Sequence, residues 1–263
     1  MPLFYLMKLT VLSENKEGSC PGEWGLSYLL ELEKPILFDT GATDLFIKNA
    51  EKLGVNLSVV DTIVLSHGHF DHGNGLAYLS GQTLIAHPGV FIKRERLEDG
   101  SHIGLPINLR EANEKFDLIL TKEPYWVTKT AVFLGEIPRK IDFESKTTPH
   151  KLETGEDDFH LDDSGIAIKT EKGLIVISGC AHAGICNTIE YAKEVTGETK
   201  LYAVLGGFHL RRDDSVSEKT IEYLKTQNIE KVIPSHCVCD EVLDKFTQEF
   251  GSERIKSGDI IDI

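Results

Sequence analysis

The sequence predicts an α+β fold in which two β-sheets pack together and carry helices on their outer faces. Strand-like and helical segments come in two similar passes, before and after residues 98–163. A block of strands opens each pass and mixed strand–helix units follow, as expected for two sheets covered by helices. The 263 residues can bury a sizeable core, and we expect a single domain over residues 1–263.

Alternation of apolar and polar residues predicts the strands, and apolar residues three or four apart predict the helices. The first helix is followed by Gly54, a residue typical of a helix end. The second pass opens with a hairpin around residues 171–173. The predicted strands are 4–12, 26–32, 35–38, 62–65, 83–86, 165–170, 174–178, 201–205, 232–234 and two short ones in 253–263. The predicted helices are 44–53, 73–79, 88–96, 185–196, 215–227 and 240–250.

Residues 98–163 are the hardest to interpret. They contain two predicted strands, 116–120 and 131–134, and a polar stretch at 147–158. We expect an insertion that forms a lid over the active site, because long loops of compact domains often carry function. Its aromatic residues either stack on a planar substrate ring or, as we favour, form a small core. These residues are Tyr125, Trp126 and Phe133.

The charge balance restricts the partners. A formal net charge of −14 argues against broad binding to nucleic acid or to anionic membranes. No apolar run approaches the roughly 20 residues that span a bilayer, and no export signal is recognisable, so we expect a cytoplasmic protein. We expect a small-molecule substrate, for which a local basic pocket and a phosphate group stay open. Nothing in the sequence indicates the oligomeric state.

The five cysteines do not form the pattern of a disulfide framework, because their number is odd and no signal peptide is recognisable. Cys180 and Cys237 are notable because each lies within two residues of a histidine.

A cluster of metal-ligand residues follows the strand predicted at 62–65. His67 and His69 are two apart, so in an extended turn both can face one ion. Asp71 and His72 come at the start of the next helix and can supply a second pair of ligands. Imidazole and carboxylate are ligands of Zn²⁺, Fe and Mn²⁺, so the cluster predicts a metal site in preference to a polar helix cap.

Further ligands must come from distant parts of the chain. His182, His209 and His236 each follow an apolar strand, so each is expected on the same rim as the first cluster. For His209 a second interpretation stays open, in which it faces the substrate as a hydrogen-bond donor or proton-transfer group.

The pattern H-x-H-x-D-H resembles the signature of the metallo-β-lactamase superfamily, and the resemblance extends along the chain. Phe38-Asp39-Thr40-Gly41 looks like the first motif of that superfamily, in which the aspartate orients the histidine loop. The resemblance implies a four-layer αββα sandwich of two mixed sheets with helices on the outer faces. The metal ions would lie at one edge between the sheets.

The resemblance also implies how the ligands are shared. His67 and His69 would hold the first ion, with His182 as our choice for the third ligand. Asp71 and His72 would hold the second ion. His236 matches the last histidine of the superfamily pattern and would complete the second site.

The chain departs from the superfamily where a strand commonly ends in T-G-D with a metal-bridging aspartate. Here the stretch is Ile177-Ser178-Gly179-Cys180. Cys180 either takes the bridging position as a possible ligand or is a buried thiol and the bridge is missing. A thiolate would favour zinc or iron over magnesium. We expect zinc, with iron or manganese as alternatives, and one or two ions per chain.

Three short motifs are similar to those of a narrower branch. The stretches G-C-A-H-A-G-I, G-G-F-H-L and P-S-H-C look like those of 7,8-dihydropterin-6-methyl-4-(β-D-ribofuranosyl)aminobenzene-5′-phosphate synthase-like proteins. The reaction that gives this branch its name displaces a diphosphate from a pterin methylene by an amine. The resemblance implies the fold and the metal site more strongly than the substrate.

We therefore expect a metal-dependent hydrolase that acts on a phosphoester or related ester through a metal-bound hydroxide. Asp71 would orient the nucleophile, and His209 would protonate the leaving group or bind its oxygen. One alternative is the dihydropterin condensation, in which an amine replaces water. Another is a di-iron redox protein. The candidate phosphate contacts are Arg139, Lys140, Arg211 and Arg212.

Overall fold

The computed structural model describes residues 7–263, which form two main β-sheets, one small sheet and six α-helices. The strands are β1 (Lys8–Ser13), β2 (Ser27–Glu31), β3 (Ile36–Phe38), β4 (Thr62–Val64), β5 (Thr83–Ala86), β6 (Arg94–Arg96), β7 (Asp117–Leu120), β8 (Tyr125–Trp126), β9 (Ala131–Phe133), β10 (His150–Leu152), β11 (Gly165–Thr170), β12 (Gly173–Ser178), β13 (Leu201–Gly207), β14 (Lys231–Ser235) and β15 (Ile260–Asp262). The helices are α1 (Leu45–Lys52), α2 (Phe70–Gly73), α3 (Leu109–Lys115), α4 (Ile185–Thr196), α5 (Ser215–Thr226) and α6 (Asp240–Phe250).

Both main sheets are mixed. The first has the order β15-β1-β2-β3-β4-β5-β7, and its strands β3, β4, β5 and β7 run parallel to one another. The second has the order β14-β13-β12-β11-β9-β8, and β12, β13 and β14 run parallel. The carboxyl ends of parallel strands meet at one edge of a sheet, so residues that follow β3, β4, β12, β13 and β14 are brought to such edges.

The two sheets share one hydrophobic core, which shows that they pack face to face. On β2, Tyr28 and Leu30 belong to this inner core, whereas Leu29 between them faces the outer layer. On β12, Ile175 and Ile177 point inward and Val176 points outward. Successive side chains of a strand point to opposite faces of the sheet, so these two strands are buried on both faces.

Helices cover the outer face of each sheet. Phe46 and Ala50 of α1 and Ala112 of α3 pack on the first sheet. Ile189 of α4 and Phe246 of α6 pack on the second. The result is the expected four-layer αββα sandwich. Within residues 7–263, no helix combines the length and the apolar character needed to cross a bilayer.

Several element boundaries differ from the sequence prediction. The helix predicted at 88–96 is wrong, because Pro88–Phe91 forms a single 3-10 turn and Arg94–Arg96 pairs as β6 with β10. The helix predicted at 73–79 is a 3-10 helix, Asn74–Tyr78. In 253–263 the second expected strand is reduced to an isolated bridge at Ser257. The predicted start of the first strand, 4–6, lies outside the described residues.

Residues 98–163 contribute to all three sheets. β7 extends the first main sheet beside β5, while β8 and β9 extend the second beside β11. The small sheet joins β10 to β6. Within this region, residues 143–149 and 159–160 line a cavity beside His182.

Candidate metal centre

The histidine loop connects β4 to α2 and leads into the interior between the sheets. Gly68 allows this course, since a Cβ atom there would lie 2.1 Å from the carbonyl oxygen of Val90. The Gly68 N–H donates to Asp162 at 2.8 Å, which fixes the loop from the other side. Both contacts bring His67 and His69 to the edge where β12 and β14 end.

His67, His69 and His182 form a first triad. Each offers a ring nitrogen within 4.8 Å of the other two. Nε2 of His67 and Nδ1 of His69 are 3.0 Å apart. Nε2 of His182 is buried and has no hydrogen-bond partner. An unpartnered buried nitrogen beside two others is the arrangement expected of a site that holds a cation.

Asp71, His72 and His236 form a second triad. The Nε2 atoms of His72 and His236 are 3.0 Å apart, and Oδ2 of Asp71 lies 3.3 Å from Nε2 of His236. Although burial raises the pKa of Asp71, the neighbouring His72 and His236 lower it well below its ordinary value. Asp71 is therefore ionised at neutral pH and can act as an anionic ligand.

Asp39 supports both triads from behind. Its Oδ2 lies 2.7 Å from Nδ1 of His72, which leaves Nε2 of that ring to face the centre. Ser66 donates to the same carboxylate through its backbone N–H and its hydroxyl, each at 2.7 Å. The Ser66 hydroxyl also lies 2.9 Å from Nδ1 of His67. One buried carboxylate thus orients an imidazole of each triad, as partners of metal ligands commonly do.

The thiol of Cys180 lies between the triads. Its Sγ is 3.3 Å from Nε2 of His72, and it forms a potential ligand group with His72 and His67. Burial raises the pKa of this thiol well above its ordinary value. A bound cation reverses such a shift, because a coordinating thiol loses its proton.

His209 lies beside the first triad. Its ring centroid is 4.3 Å from that of His182, and it belongs to none of the potential ligand groups found in residues 7–263. Burial and the nearby Arg211 lower the pKa of His209 to about 3. The ring is neutral at pH 7, so it donates a hydrogen bond more readily than it supplies a proton.

The histidines of the first triad are neutral as well. Burial lowers the pKa of His67, His69 and His182 well below the ordinary value. Neutral imidazoles keep a lone pair available, which is the form that binds a metal ion. In the second triad, burial lowers the pKa of His72, but the neighbouring Asp39 and Asp71 raise it above its ordinary value, so a cation bound there would replace a proton. Both triads fit divalent cations that accept nitrogen and oxygen ligands, such as zinc.

Two cavities open next to the triads. The smaller, of about 40 Å³, is lined by His69, Asp71, His182 and His236. The larger, of about 390 Å³, lies against His182 and His209, where a substrate could approach the triads. Two of the four proposed phosphate contacts, Arg211 and Arg212, line the larger cavity.

The other two proposed phosphate contacts, Arg139 and Lys140, do not line this cavity and are held by other side chains. Arg139 donates to Ser145 at 2.9 Å, and Lys140 pairs with Glu194 at 2.6 Å. Phe133 is fully buried in the core between the sheets. Tyr125 and Trp126 lie on β8, at the edge of the second sheet, and do not line either cavity.

Sequence reasoning missed two histidines at the centre. The ring of His160 lies 4.1 Å from that of His182, and the ring of His150 lies 5.1 Å from that of His69. Neither follows a readable apolar strand, which was the signal that located His182 and His236. The high content of histidine, ten residues in the chain, was the remaining signal.

A family model described as the metallo-beta-lactamase superfamily matches residues 25–236. The chain belongs to the metallo-β-lactamase superfamily. The matched range begins just before β2 and ends at His236, so it spans both triads. The resemblance stated from the sequence is thereby confirmed, and the metal-dependent hydrolase fold is the one expected of this superfamily.

Relatives of this superfamily member include a protein of Methanocaldococcus jannaschii named 7,8-dihydropterin-6-methyl-4-(beta-D-ribofuranosyl)-aminobenzene-5′-phosphate synthase. The two are 36% identical over 97% of this chain and 96% of the relative. A crystal structure described as a metal-dependent hydrolase of the beta-lactamase superfamily has a TM-score of 0.88 and 29% identity, covering 98% of this chain and 99% of the other. Zinc-bound PqqB of Methylobacterium extorquens, at 14% identity and a TM-score of 0.56 over 97% of this chain and 100% of the other, shares the fold.

Proposed function

We propose that this protein is a metal-dependent hydrolase that holds two divalent cations, preferably zinc, and cleaves a phosphoester or related ester. The observation that carries the proposal is the convergence of the two triads beside a cavity of about 390 Å³. His67, His69 and His182 would hold one ion. Asp71, His72 and His236 would hold the other, with Cys180 as a further ligand between them.

Cations held there would lower the pKa of a bound water to about 7 and stabilise negative charge that develops on the substrate. Asp71 is ionised and lines the smaller cavity, so its carboxylate can also accept a hydrogen bond from the attacking water. His209 is neutral and lines both cavities, so its ring N–H can bind an oxygen of the leaving group.

The charges around the larger cavity favour an anionic substrate. Arg211, Arg212 and Lys146 line it, and they outnumber the two carboxylates of the lining, Glu144 and Asp214. The guanidinium of Arg211 lies 5.5 Å from the ring of Trp24, so the indole face helps to hold it near the centre. One guanidinium group can bind two oxygens of the same phosphate, which suits a phosphorylated substrate.

A second candidate is the condensation that forms a dihydropterin–aminobenzene bond. It is favoured by the relative of that name, at 36% identity over nearly the whole chain. The same centre would bind the departing diphosphate, and an aromatic amine would take the place of water. A di-iron redox role is less favoured, because Asp71 is the one carboxylate among the six proposed triad ligands.

The test compares hydrolysis and transfer on one preparation. Chelator-treated protein is reloaded with Zn²⁺, Mn²⁺ or Fe²⁺ and offered phosphomonoesters, phosphodiesters and carboxylic esters. It is also offered a dihydropterin-methyl diphosphate with 4-(β-D-ribofuranosyl)aminobenzene 5′-phosphate. The variant His67→Ala/His69→Ala removes the proposed centre, and His102→Ala is the matched control.

Metal-dependent ester hydrolysis by the protein and by the control, lost in the double variant, would support the first candidate. Condensation without ester hydrolysis would support the second. Absence of both reactions with every metal, in protein shown to be loaded, would overturn both candidates.

A further inference from the structure

Two cysteines follow the strands that flank β13 in the second sheet. Cys180 lies two residues after the end of β12, and Cys237 lies two residues after the end of β14. Both strands run parallel to β13, so all three end at one edge of the sheet, where β13 ends in Gly207. The topology therefore brings together two cysteines that are 57 residues apart in the chain.

Gly207 leaves room for the two cysteines to approach each other at the end of β13. A Cβ atom on this residue would lie 2.9 Å from Sγ of Cys237 and 3.1 Å from Cα of Cys180. It would also lie 2.2 Å from the carbonyl oxygen of Gly179. The sulfur of Cys237 and the backbone of Cys180 thus share the space that a side chain at position 207 would fill.

The side chain of Cys237 is in contact with Cys180. Its Sγ lies 3.5 Å from the carbonyl oxygen of Cys180 and accepts the backbone N–H of His209 at 3.2 Å. Burial raises the pKa of Cys180, and a hydrogen bond between its thiol and that of Cys237 adds to the rise. The two thiols are therefore neighbours. Cys237 belongs to none of the potential ligand groups found in residues 7–263, so the metal centre leaves its thiol unused.

The thiol of Cys180 stands between two partners. On one side its Sγ is 3.3 Å from Nε2 of His72 in the second triad, and on the other side is the thiol of Cys237. A sulfur–sulfur bond of about 2 Å forms when the side chains turn about their Cα–Cβ bonds. Only a thiolate is a metal ligand, so Cys180 in a disulfide is lost to the centre.

A small oxidant can reach this pair of thiols. Both cysteines line the cavity of about 40 Å³ beside the triads. A cavity of roughly 10–15 Å³ already holds a water molecule, and hydrogen peroxide is little larger than water. Each cysteine is otherwise buried, so bulkier reagents are kept away from the sulfur atoms.

We propose that Cys180 and Cys237 form a reversible oxidation site, at which hydrogen peroxide converts the two thiols into a disulfide and withdraws Cys180 from the metal centre. One thiol attacks the peroxide, the O–O bond breaks, and a sulfenic acid and one water form. The other thiol attacks that sulfur, the S–O bond breaks, and a second water leaves. Two thiols are oxidised and one peroxide is reduced to two waters. The proposal does not rest on the reaction proposed above.

The test compares the full-length protein with three single variants, Cys180→Ser, Cys237→Ser and the matched control Cys239→Ser. Each protein is treated with hydrogen peroxide in two forms, one freed of metal by a chelator and one reloaded with Zn²⁺. Remaining thiols are blocked, and the tryptic peptides are weighed without reduction. Cys180 lies in peptide 173–193 and Cys237 in peptide 232–245, so a bond between the two cysteines links these peptides.

In the metal-free form we expect the linked pair, lighter by two hydrogens than the separate peptides, in the unmodified protein and in Cys239→Ser. It should be absent from Cys180→Ser and Cys237→Ser, and dithiothreitol should reverse it. No linked pair in the unmodified protein, or one that persists in either of these two variants, would overturn the proposal.

Zn²⁺ provides a second readout, because an ion that holds the Cys180 thiolate competes with the disulfide. Zn²⁺ bound before the peroxide is added should slow the linkage by roughly 10-fold or more, and the oxidised protein should bind Zn²⁺ more weakly than the reduced protein. Equal rates of linkage with and without Zn²⁺, together with equal affinities, would show that the disulfide does not withdraw a ligand.

Discussion

The Sγ atom of Cys180 lies 3.3 Å from Nε2 of His72, the imidazole whose other nitrogen is held by Asp39. The resemblance to the superfamily implies a metal-bridging aspartate at the end of this strand, where the chain has Cys180. A thiolate is a softer ligand than a carboxylate, so we expect Cys180, as a ligand, to change which metals the centre prefers.

The first prediction is that Cys180→Ser lowers the affinity for Zn²⁺ and Cd²⁺ more than the affinity for Mn²⁺. The hydroxyl of serine has almost the same size but is a poor ligand for soft ions. In the Co²⁺-loaded protein, the thiolate-to-metal charge-transfer band should disappear. Cys239→Ser, which changes a cysteine at the start of α6, is the control, and identical spectra for all three proteins would exclude Cys180 as a ligand.

The second prediction concerns Asp39, whose carboxylate holds His72 and Ser66 at 2.7 Å. Asp39→Asn keeps the shape of the side chain but removes its charge. The imidazole of His72 then loses its orienting partner, and so does that of His67, which Asp39 orients through Ser66. We expect metal affinity to fall by roughly 10- to 100-fold in a chelator competition. Asp44→Asn, at an exposed ion pair with Lys48, should leave affinity unchanged. An affinity for Asp39→Asn equal to that of the unmodified protein would contradict the proposed role.

The third prediction separates catalysis from metal binding at His209. His209→Asn retains a donor and tolerates the backbone φ of 51° at this position. Because the shorter side chain no longer reaches the leaving group, kcat should fall by roughly 10²- to 10³-fold, as for other lost donors to developing charge. Metal content should remain that of the unmodified protein. Loss of metal in this variant would instead make His209 a ligand.

The fourth prediction concerns Asp163, a buried residue in the loop before β11. Burial raises the pKa of its carboxyl to about 7, although the N–H of Ala183 donates to it at 2.9 Å. In unfolded chains the pKa of aspartate is about 3.9, so between these values the folded state binds more protons. The stability of the metal-free protein should therefore fall as pH rises from about 4 to about 7, by at most roughly 4 kcal/mol from this group.

Asp163→Asn lacks this charge and should remove that dependence. The measurement is the difference in Tm between the variant and the unmodified protein, both metal-free, at pH 5 and at pH 8. The variant should gain relative stability at pH 8. The same difference at both pH values would show that Asp163 does not titrate with a raised pKa.

Much of this centre could be predicted from local sequence. His67, His69, Asp71 and His72 are close in the chain, so one loop after a buried strand is enough to bring them together. His182 and His236 could be located because each follows an apolar strand. Parallel strands bring their carboxyl ends to one edge of the sheet, and the structure places both residues there.

The remaining part depends on contacts between distant segments. Arg94 lies in a segment with apolar spacing that predicts a helix, but pairing of β6 with β10 makes it a strand. That pairing buries Arg94 and places His150 beside His69. Neither outcome follows from periodicity, because the partner strand lies more than fifty residues away along the chain.

The most direct test of the metal centre is elemental analysis of protein purified without any chelator, alongside the His67→Ala/His69→Ala variant. We predict at least two transition-metal ions per chain in the unmodified protein and in His102→Ala, and fewer in the double variant. An unmodified protein that contains no metal, takes up none when Zn²⁺ is added and matches the double variant would contradict the account.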